Sequence, residues 1–247
     1  MPKSPAPLDA RHPTSPARPL LPLLLAPLAA VLVVAALMQL GGDQIVADLL
    51  YSSQGNQWAL KGAWVTATLA HKGGKWASAL AGLAVLLACV LTRKRHGRLH
   101  VALLYLFLAM VLSTALVAGL KPLTRMDCPW DLQRYGGTRP FIGLLQHRPD
   151  MMGTPACFPA GQASAGYAWL SLYFFALLYR PAWRWTGLTI GLLAGLLLGL
   201  AQQLRGAHFL SHDLATAVLC WCASLGLFAL MRGKAARATQ SNVQVGS

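Results

Sequence analysis

A chain of 247 residues that is 55% hydrophobic and only 11% charged falls well below the roughly 25% charge of soluble domains. That excludes an ordinary water-soluble globule and makes a membrane protein the first reading. The formal net charge is +14 and all seven acids are aspartates; a basic balance suits nucleic acid or anionic lipid, and with long apolar runs and no nucleic-acid motif, lipid is the partner class and nucleic acid is excluded.

In chain order, the opening "MPKSPAPLDARHPTSPARP" (1–19) is basic and proline-rich, as a disordered tail is. A membrane-crossing helix needs about 20 apolar residues, and six stretches read as spans: 20–40, 76–91 (somewhat short), 99–120, 163–179, 185–201 and 214–231. The first is longer than a signal-peptide core and no small-x-small cleavage site follows it, so it reads as a retained span. The fifth carries Gly187, Gly191, Gly195 and Gly199, a column suited to close helix packing. Basic connections "RKRHGR" (93–98), "RPAWRW" (180–185) and "RGKAAR" (232–237) alternate with less basic ones. The positive-inside rule puts these and both termini in the cytoplasm, including a C-terminal tail at 232–247. Segments 41–75, 121–162 and 202–213 are left on the opposite face. The first holds "NQWALKGAWVTATLAHKGGKW", whose Trp and Leu residues predict an amphipathic helix lying in the interface. The predicted fold is thus all-α: a six-span bundle over 20–231 with an interfacial helix and a long outer loop.

The outer segments hold the unusual polar residues. Cys128 and Cys157 share the long loop and form a disulfide if it faces an oxidising compartment; Cys89, Cys220 and Cys222 lie in apolar runs as small hydrophobes. In "QQLRGAHFLSHD", His208 and His212 share a helix face, with Arg205 one turn earlier. Three readings stand. Ser211 or Asp213 simply caps a helix; the histidine pair binds zinc, although no third ligand is evident; or arginine binds an oxyanion while one histidine acts as nucleophile and a neighbour orients it. Lys121 closes the third span, ahead of Arg125, Arg134 and Arg139. "CFPAGQASAGYA" (157–168) opens the fourth, where Ala160 and Gly161 allow backbone N–H groups to approach an anion. Lys121 as a snorkelling side chain and Pro159 and Gly161 as turn punctuation are the bland alternatives.

Taken together, Lys121 with six residues before Cys128-Pro129, Pro159-Ala160-Gly161-Gln162, and Ala201-Gln202 with five residues before His208 and three more before His212 resemble the three signatures of the type-2 phosphatidic acid phosphatase superfamily. These read Lys-x6-Arg-Pro, Pro-Ser-Gly-His and Ser-Arg-x5-His-x3-Asp. The resemblance covers about 76–231 and implies an integral membrane lipid phosphatase or phosphotransferase that works through a phosphohistidine, without a cofactor or metal. It implies His208 as nucleophile, a proton donor at the position of Gln162, and an orienting group at His212, with Asp213 as the alternative. Glutamine donates a hydrogen bond but supplies no proton near neutral pH, and general acid catalysis is typically worth about 10²–10⁴-fold. Hydrolysis is therefore expected to be weakened, least for a diphosphate. Arg125 and Arg205 each lie one helical turn from the arginine positions filled by Cys128 and Gln202. With Lys121 and the backbone at Ala160 and Gly161, they form the expected phosphate site. The expected substrate is a phospholipid, lipid A or polyprenyl phosphate at the periplasmic face of a bacterial inner membrane. A non-catalytic lipid-phosphate binding protein is the alternative. A transporter ranks lower, because no span carries a charge or a proline break at its centre.

Overall fold

The computed structural model describes residues 20–245 apart from 96, 150–152 and 154. The tail expected at 1–19 lies outside the described residues. Among the described residues there is no strand, only an isolated bridge between Leu132 and Arg139. The helices are α1 (Pro22–Gln39), α2 (Gly42–Ser52), a π-helix (Trp64–Gly73), α3 (Gly74–Thr92), α4 (Arg98–Thr124), α5 (Gly161–Tyr167), α6 (Ser171–Tyr179), α7 (Arg184–Leu204) and α8 (Leu210–Val245).

Among the described residues, five helical stretches are long and apolar enough to cross a membrane: Pro22–Gln39, Ala59–Thr92, Arg98–Asp131, Pro181–Leu204 and Leu210–Gly233. The expected span at 163–179 is not among them. It is built as α5, a 3₁₀ turn at Ala168–Leu170, and α6. Its first half, "GQASAGY", is small and polar, and Ala163, Tyr167, Ala168, Leu170, Tyr173 and Phe174 are all buried. This stretch is the packed centre of the bundle. By contrast Leu24, Leu28 and Leu32 on α1, and Leu80, Leu83 and Leu87 on α3, stand exposed, as side chains facing lipid tails do.

The glycine column explains how α7 reaches that centre. A Cβ at Gly187 would sit 2.7 Å from the Leu172 backbone, and one at Gly191 2.5 Å from the Leu170 nitrogen. A Cβ at Gly195 would strike the Tyr167 ring, and one at Gly199 the Asp213 carboxylate at 2.7 Å. On the other flank, Tyr105 of α4 packs edge-on against Phe174 and Phe228.

Two further expectations change. The stretch expected to form the interfacial helix, 56–76, is instead a 3₁₀ turn at Ala59–Lys61 and the π-helix, which runs without a break into α3, while α2 precedes it. Only the Gly73–Gly74 pair lies at that junction, and the backbone stays helical through it, with φ −61° at Gly73 and −59° at Gly74. The expected tail from 232 onward continues α8 as helix to Val245, and residues 246–247 lie outside the described residues.

The segments 41–75, 121–162 and 202–213 gather at one end of the bundle. Gln54 Nε2 donates to the Leu204 carbonyl (3.0 Å), the Trp130 N–H to the Gly206 carbonyl (2.9 Å), and the Ser211 N–H to Asp43 Oδ1 (2.9 Å). Gly206, at φ +71°, sits directly against the Trp58 indole; a side chain there would meet both strain and ring.

Candidate active site

His208 lies in the turn between α7 and α8, and His212 in the first turn of α8. Both are buried, and their Nδ1 atoms stand 3.5 Å apart. Burial pushes His208 well below its ordinary value of 6.5, and the neighbouring His212 and Lys121 charges push the same way. A neutral imidazole with a free lone pair is the nucleophilic form. The Cys157 backbone lies beside both histidine rings, the Phe158 ring packs edge-on against His212 at 5.2 Å, and the Ala160 N–H donates to the His212 carbonyl (3.3 Å). The second and third signature segments are thus one unit. Cys128 and Cys157 are joined, with Cα atoms 5.3 Å apart, which ties the end of α4 to the strip beside the histidines.

Between the two orienting candidates, His212 is the one beside His208. Asp213 points the other way: Gln203 Nε2 donates to its carboxylate, which lies against Gly199 of α7. One position along a helix turns a side chain by about 100°, and here that separates the two roles. The start of α8 is served by neither Ser211 nor Asp213 as a cap. Asp43 of α2 accepts from both the Ser211 N–H and its hydroxyl (2.9 and 2.5 Å). Among the described residues no group of three or more His, Cys or Asp side chains is placed to hold a metal.

Lys121, in the last turn of α4, reaches to within 3.1 Å of where a Gly161 Cβ would be. The missing side chain is what admits the ammonium there. Arg205 donates from Nε to the Lys61 carbonyl (2.9 Å) and from Nη1 to Gln202 Oε1 (3.0 Å); its guanidinium and the Lys61 ammonium both lie over the Trp130 ring. Neither Lys121 nor Arg205 is ion-paired among the described residues. The loop arginines differ: Arg139 and Arg148 pair with buried Asp127 at 2.7 and 2.6 Å, and Arg134 pairs with Asp48 at 2.5 Å. Cations without carboxylate partners are the groups that favour an added anion.

The expected phosphate site needs two corrections. Arg125 is not brought in. The chain leaves α4 in a left-handed turn at Arg125 (φ 49°), and its side chain lines a separate cleft with Met126, Ile142, His147 and Arg148. The one-turn argument required helix on both sides of Arg125, and α4 stops at Thr124. The Ala160 N–H is already engaged by His212. Gln162 does line the cleft, but its amide Nε2 donates to the His71 carbonyl (2.7 Å).

His71, on the π-helix, was not singled out from sequence. Its Nδ1 lies 3.1 Å from Gln202 Nε2, and it shares with Lys121, Gly161 and Gln162 a cleft of about 630 Å³. That cleft runs from these polar groups and Lys75 down between α3 and α4 to Leu83, Leu86, Phe107, Met110 and Val111. His208 is not part of its wall and sits behind the cationic end. The only advance hint of His71 was its place in the one outer segment that held a histidine beside lysines.

Fold and site together define a helical membrane protein whose bundle carries, at one end, a histidine-bearing cationic cleft opening onto apolar walls. The family model of the PAP2 superfamily matches residues 102–235, and the chain belongs to that superfamily. Membership points to a membrane phosphatase. The match takes in Lys121, Gln162, Arg205, His208 and His212, but not α1, α2 or the π-helix with His71. Neither the curated proteins nor the solved structures give a match.

Proposed function

We propose that the protein is a lipid-phosphate phosphatase or phosphotransferase acting through a phosphohistidine at the periplasmic face of a bacterial inner membrane. The observation that supports this reading is the amphipathic cleft: Lys121, Lys75 and His71 at one end, apolar side chains of α3 and α4 along its length, with the buried His208–His212 pair within electrostatic reach of Lys121 and His71. A free phosphate would need the first feature only; a phosphate on a lipid chain uses both.

Lys121 and Arg205 hold the phosphate and balance its charge as the leaving bond breaks. His208 attacks phosphorus from Nε2 while His212, at its Nδ1, fixes the ring and tautomer. Water then releases phosphate, or a second hydroxyl takes it in the transferase case. The test is phosphate release from lipid A, undecaprenyl diphosphate, phosphatidate and phosphatidylglycerophosphate. His208→Ala is expected to abolish turnover, and Lys121→Ala to weaken binding of every substrate. Unchanged turnover in His208→Ala on every substrate that the wild type cleaves would refute the reading.

One observation favours a second reading, a lipid-phosphate binding protein without turnover. The position of the family's proton donor is an amide bonded to a main-chain carbonyl. That reading expects lipid-phosphate binding that Lys121→Ala weakens, with no phosphate released from any of the four lipids.

A further inference from the structure

We propose that His71 is a catalytic residue, supplying from Nε2 the proton that the leaving oxygen needs, and that the Arg205–Gln202 pair holds it idle until phosphate binds. This rests on the phosphatase reading above.

The argument begins with hydrogen-bond directions. A guanidinium only donates, so Gln202 must turn Oε1 toward Arg205 Nη1, 3.0 Å away. That fixes the rest of the amide: Nε2 faces His71 Nδ1 at 3.1 Å. An amide nitrogen also only donates, so Nδ1 accepts, and in this arrangement the ring is the neutral tautomer with its hydrogen on Nε2. A neutral imidazole is too weak an acid for the step. Its protonated form would set an Nδ1–H against the Gln202 NH₂.

Phosphate reverses this arrangement. A guanidinium's strongest partners are paired oxyanion oxygens, whereas Arg205 holds the Lys61 carbonyl, the Gln202 amide and the face of Trp130. Once Arg205 turns to phosphate, the Gln202 amide is free to rotate and accept from Nδ1–H. The charged groups around His71 are Lys72 on its own helix, Lys75 on α3 and Arg205 after α7, with Lys121 of α4 in the same cleft. A bound phosphate dianion among these cations favours the protonated ring. Gln162, through its bond to the His71 carbonyl (2.7 Å), then acts as a positioning residue for the acid. His71 also lies within electrostatic reach of His208.

The step balances. The His208 Nε2 lone pair forms the P–N bond as the P–O bond breaks. The electron pair of that bond goes to the leaving oxygen, which takes the Nε2 proton of the His71 imidazolium. Neutral His71 then removes a proton from water as its oxygen forms the new P–O bond, and the P–N electrons return to His208. The products are alcohol and inorganic phosphate.

An acid matters most for a poor leaving group. The full-length protein in lipid nanodiscs is assayed with an alkyl lipid phosphomonoester and with p-nitrophenyl phosphate. His71→Gln is expected to lower kcat/KM on the alkyl ester by about 10²–10⁴-fold and on the aryl ester by less than about tenfold, since a phenolate leaves unaided. His71→Gln combined with Gln162→His should recover most of the alkyl activity, because a proton donor returns to the cleft. Equal losses on both esters, no loss, or a loss that Gln162→His does not restore overturn the proposal. His208→Ala separates the two readings. If it is inactive while His71→Gln shows no selective loss, the phosphatase stands and only His71 falls. If it keeps full activity, both fall.

Discussion

Breaking the Cys128–Cys157 bond is expected to lower stability and slow turnover together. The bridge closes a sequence separation of 29 residues, for which the chain-entropy relation gives roughly 3.5 kcal/mol. Part of that constraint is duplicated. The Cys157 N–H donates to the Met126 carbonyl (3.0 Å), and buried Asp127 binds Arg139 and, through two bonds of 2.6 and 3.0 Å, Arg148. These contacts survive reduction, so the loop loosens without detaching, and about 2–3 kcal/mol is the expected loss. For a chain of this size that lowers the thermal midpoint by roughly 5–10 °C. Turnover falls because the loosened strip carries the Cys157 backbone on His208 and Phe158 on His212. The assay compares midpoint and phosphate release for the wild type, with and without reductant, and for Cys128→Ser. Labelling intact cells with a membrane-impermeant maleimide adds the topology, with Cys222, the one exposed free thiol, removed by Cys222→Ser. An oxidised pair on the outer face reacts only after reduction. A midpoint unmoved by reductant, or labelling without it, would refute the reasoning.

Three other substitutions follow from the packing and the ion pairs. Asp127→Ala leaves the nearly buried Arg148 guanidinium without its carboxylate and is expected to cost about 3–5 kcal/mol, read as a drop in thermal midpoint. Gly191→Ala puts a Cβ 2.5 Å from the Leu170 nitrogen. Backbone cannot swing aside as a side chain can, so α7 must shift, at about 1–3 kcal/mol, and turnover falls with the midpoint because α7 carries Gln202 and leads directly into Arg205. For Asp43, burial raises the carboxyl above its ordinary value of 3.8 against the pull of the Ser211 hydrogen bonds, so the folded chain keeps the proton to higher pH than the unfolded chain. The stability from that protonated form is complete below 3.8 and is lost as pH rises through the raised value. Asp43→Asn keeps an acceptor for the Ser211 N–H and is expected to flatten that decline in a series of midpoints between roughly pH 4 and pH 7.

The spans were legible where composition is uniform. Runs such as 99–120 and 185–201 hold no Asp, Lys or Arg, and the spacing of the four glycines pointed to the close packing now seen against the Tyr167 strip. Residues 163–179 were harder because burial inside protein and burial in lipid select similar residues, and the small polar start that separates them is brief. At the site, the order and spacing of Lys121, Gln162 and His208 carried the identification, and the i, i+4 relation correctly paired His208 with His212. Arg125 failed because the same kind of spacing argument assumes a helix, and Pro122 stands three residues ahead of the turn that ends it. His71 could not be found from spacing at all. It is 50 residues before Lys121 in a segment outside the family match, and it is tied to the site by the Arg205–Gln202–His71 chain of hydrogen bonds, the Gln162 bond to its carbonyl and the shared cleft.

The scarcity of acids and the character of the cleft are linked. With 21 lysines and arginines against seven aspartates, most cations cannot be paired, and where the few carboxylates go decides which positive charges remain open. Asp48 takes Arg134 and Asp127 takes Arg139 and Arg148. Asp43 takes the Ser211 N–H and hydroxyl, and Asp213 takes the Gln203 amide. Each of these contacts holds scaffold around the histidine pair, and none reaches Lys121 or Arg205. A carboxylate beside either cation would occupy the place of a phosphate and lower the local potential. Replacing the family's aspartate by His212 at the position beside His208 has the same sign. It removes a fixed negative charge from beside His208, and in the proposed mechanism the orienting group would then be an imidazole that leaves the field of Lys121 unopposed.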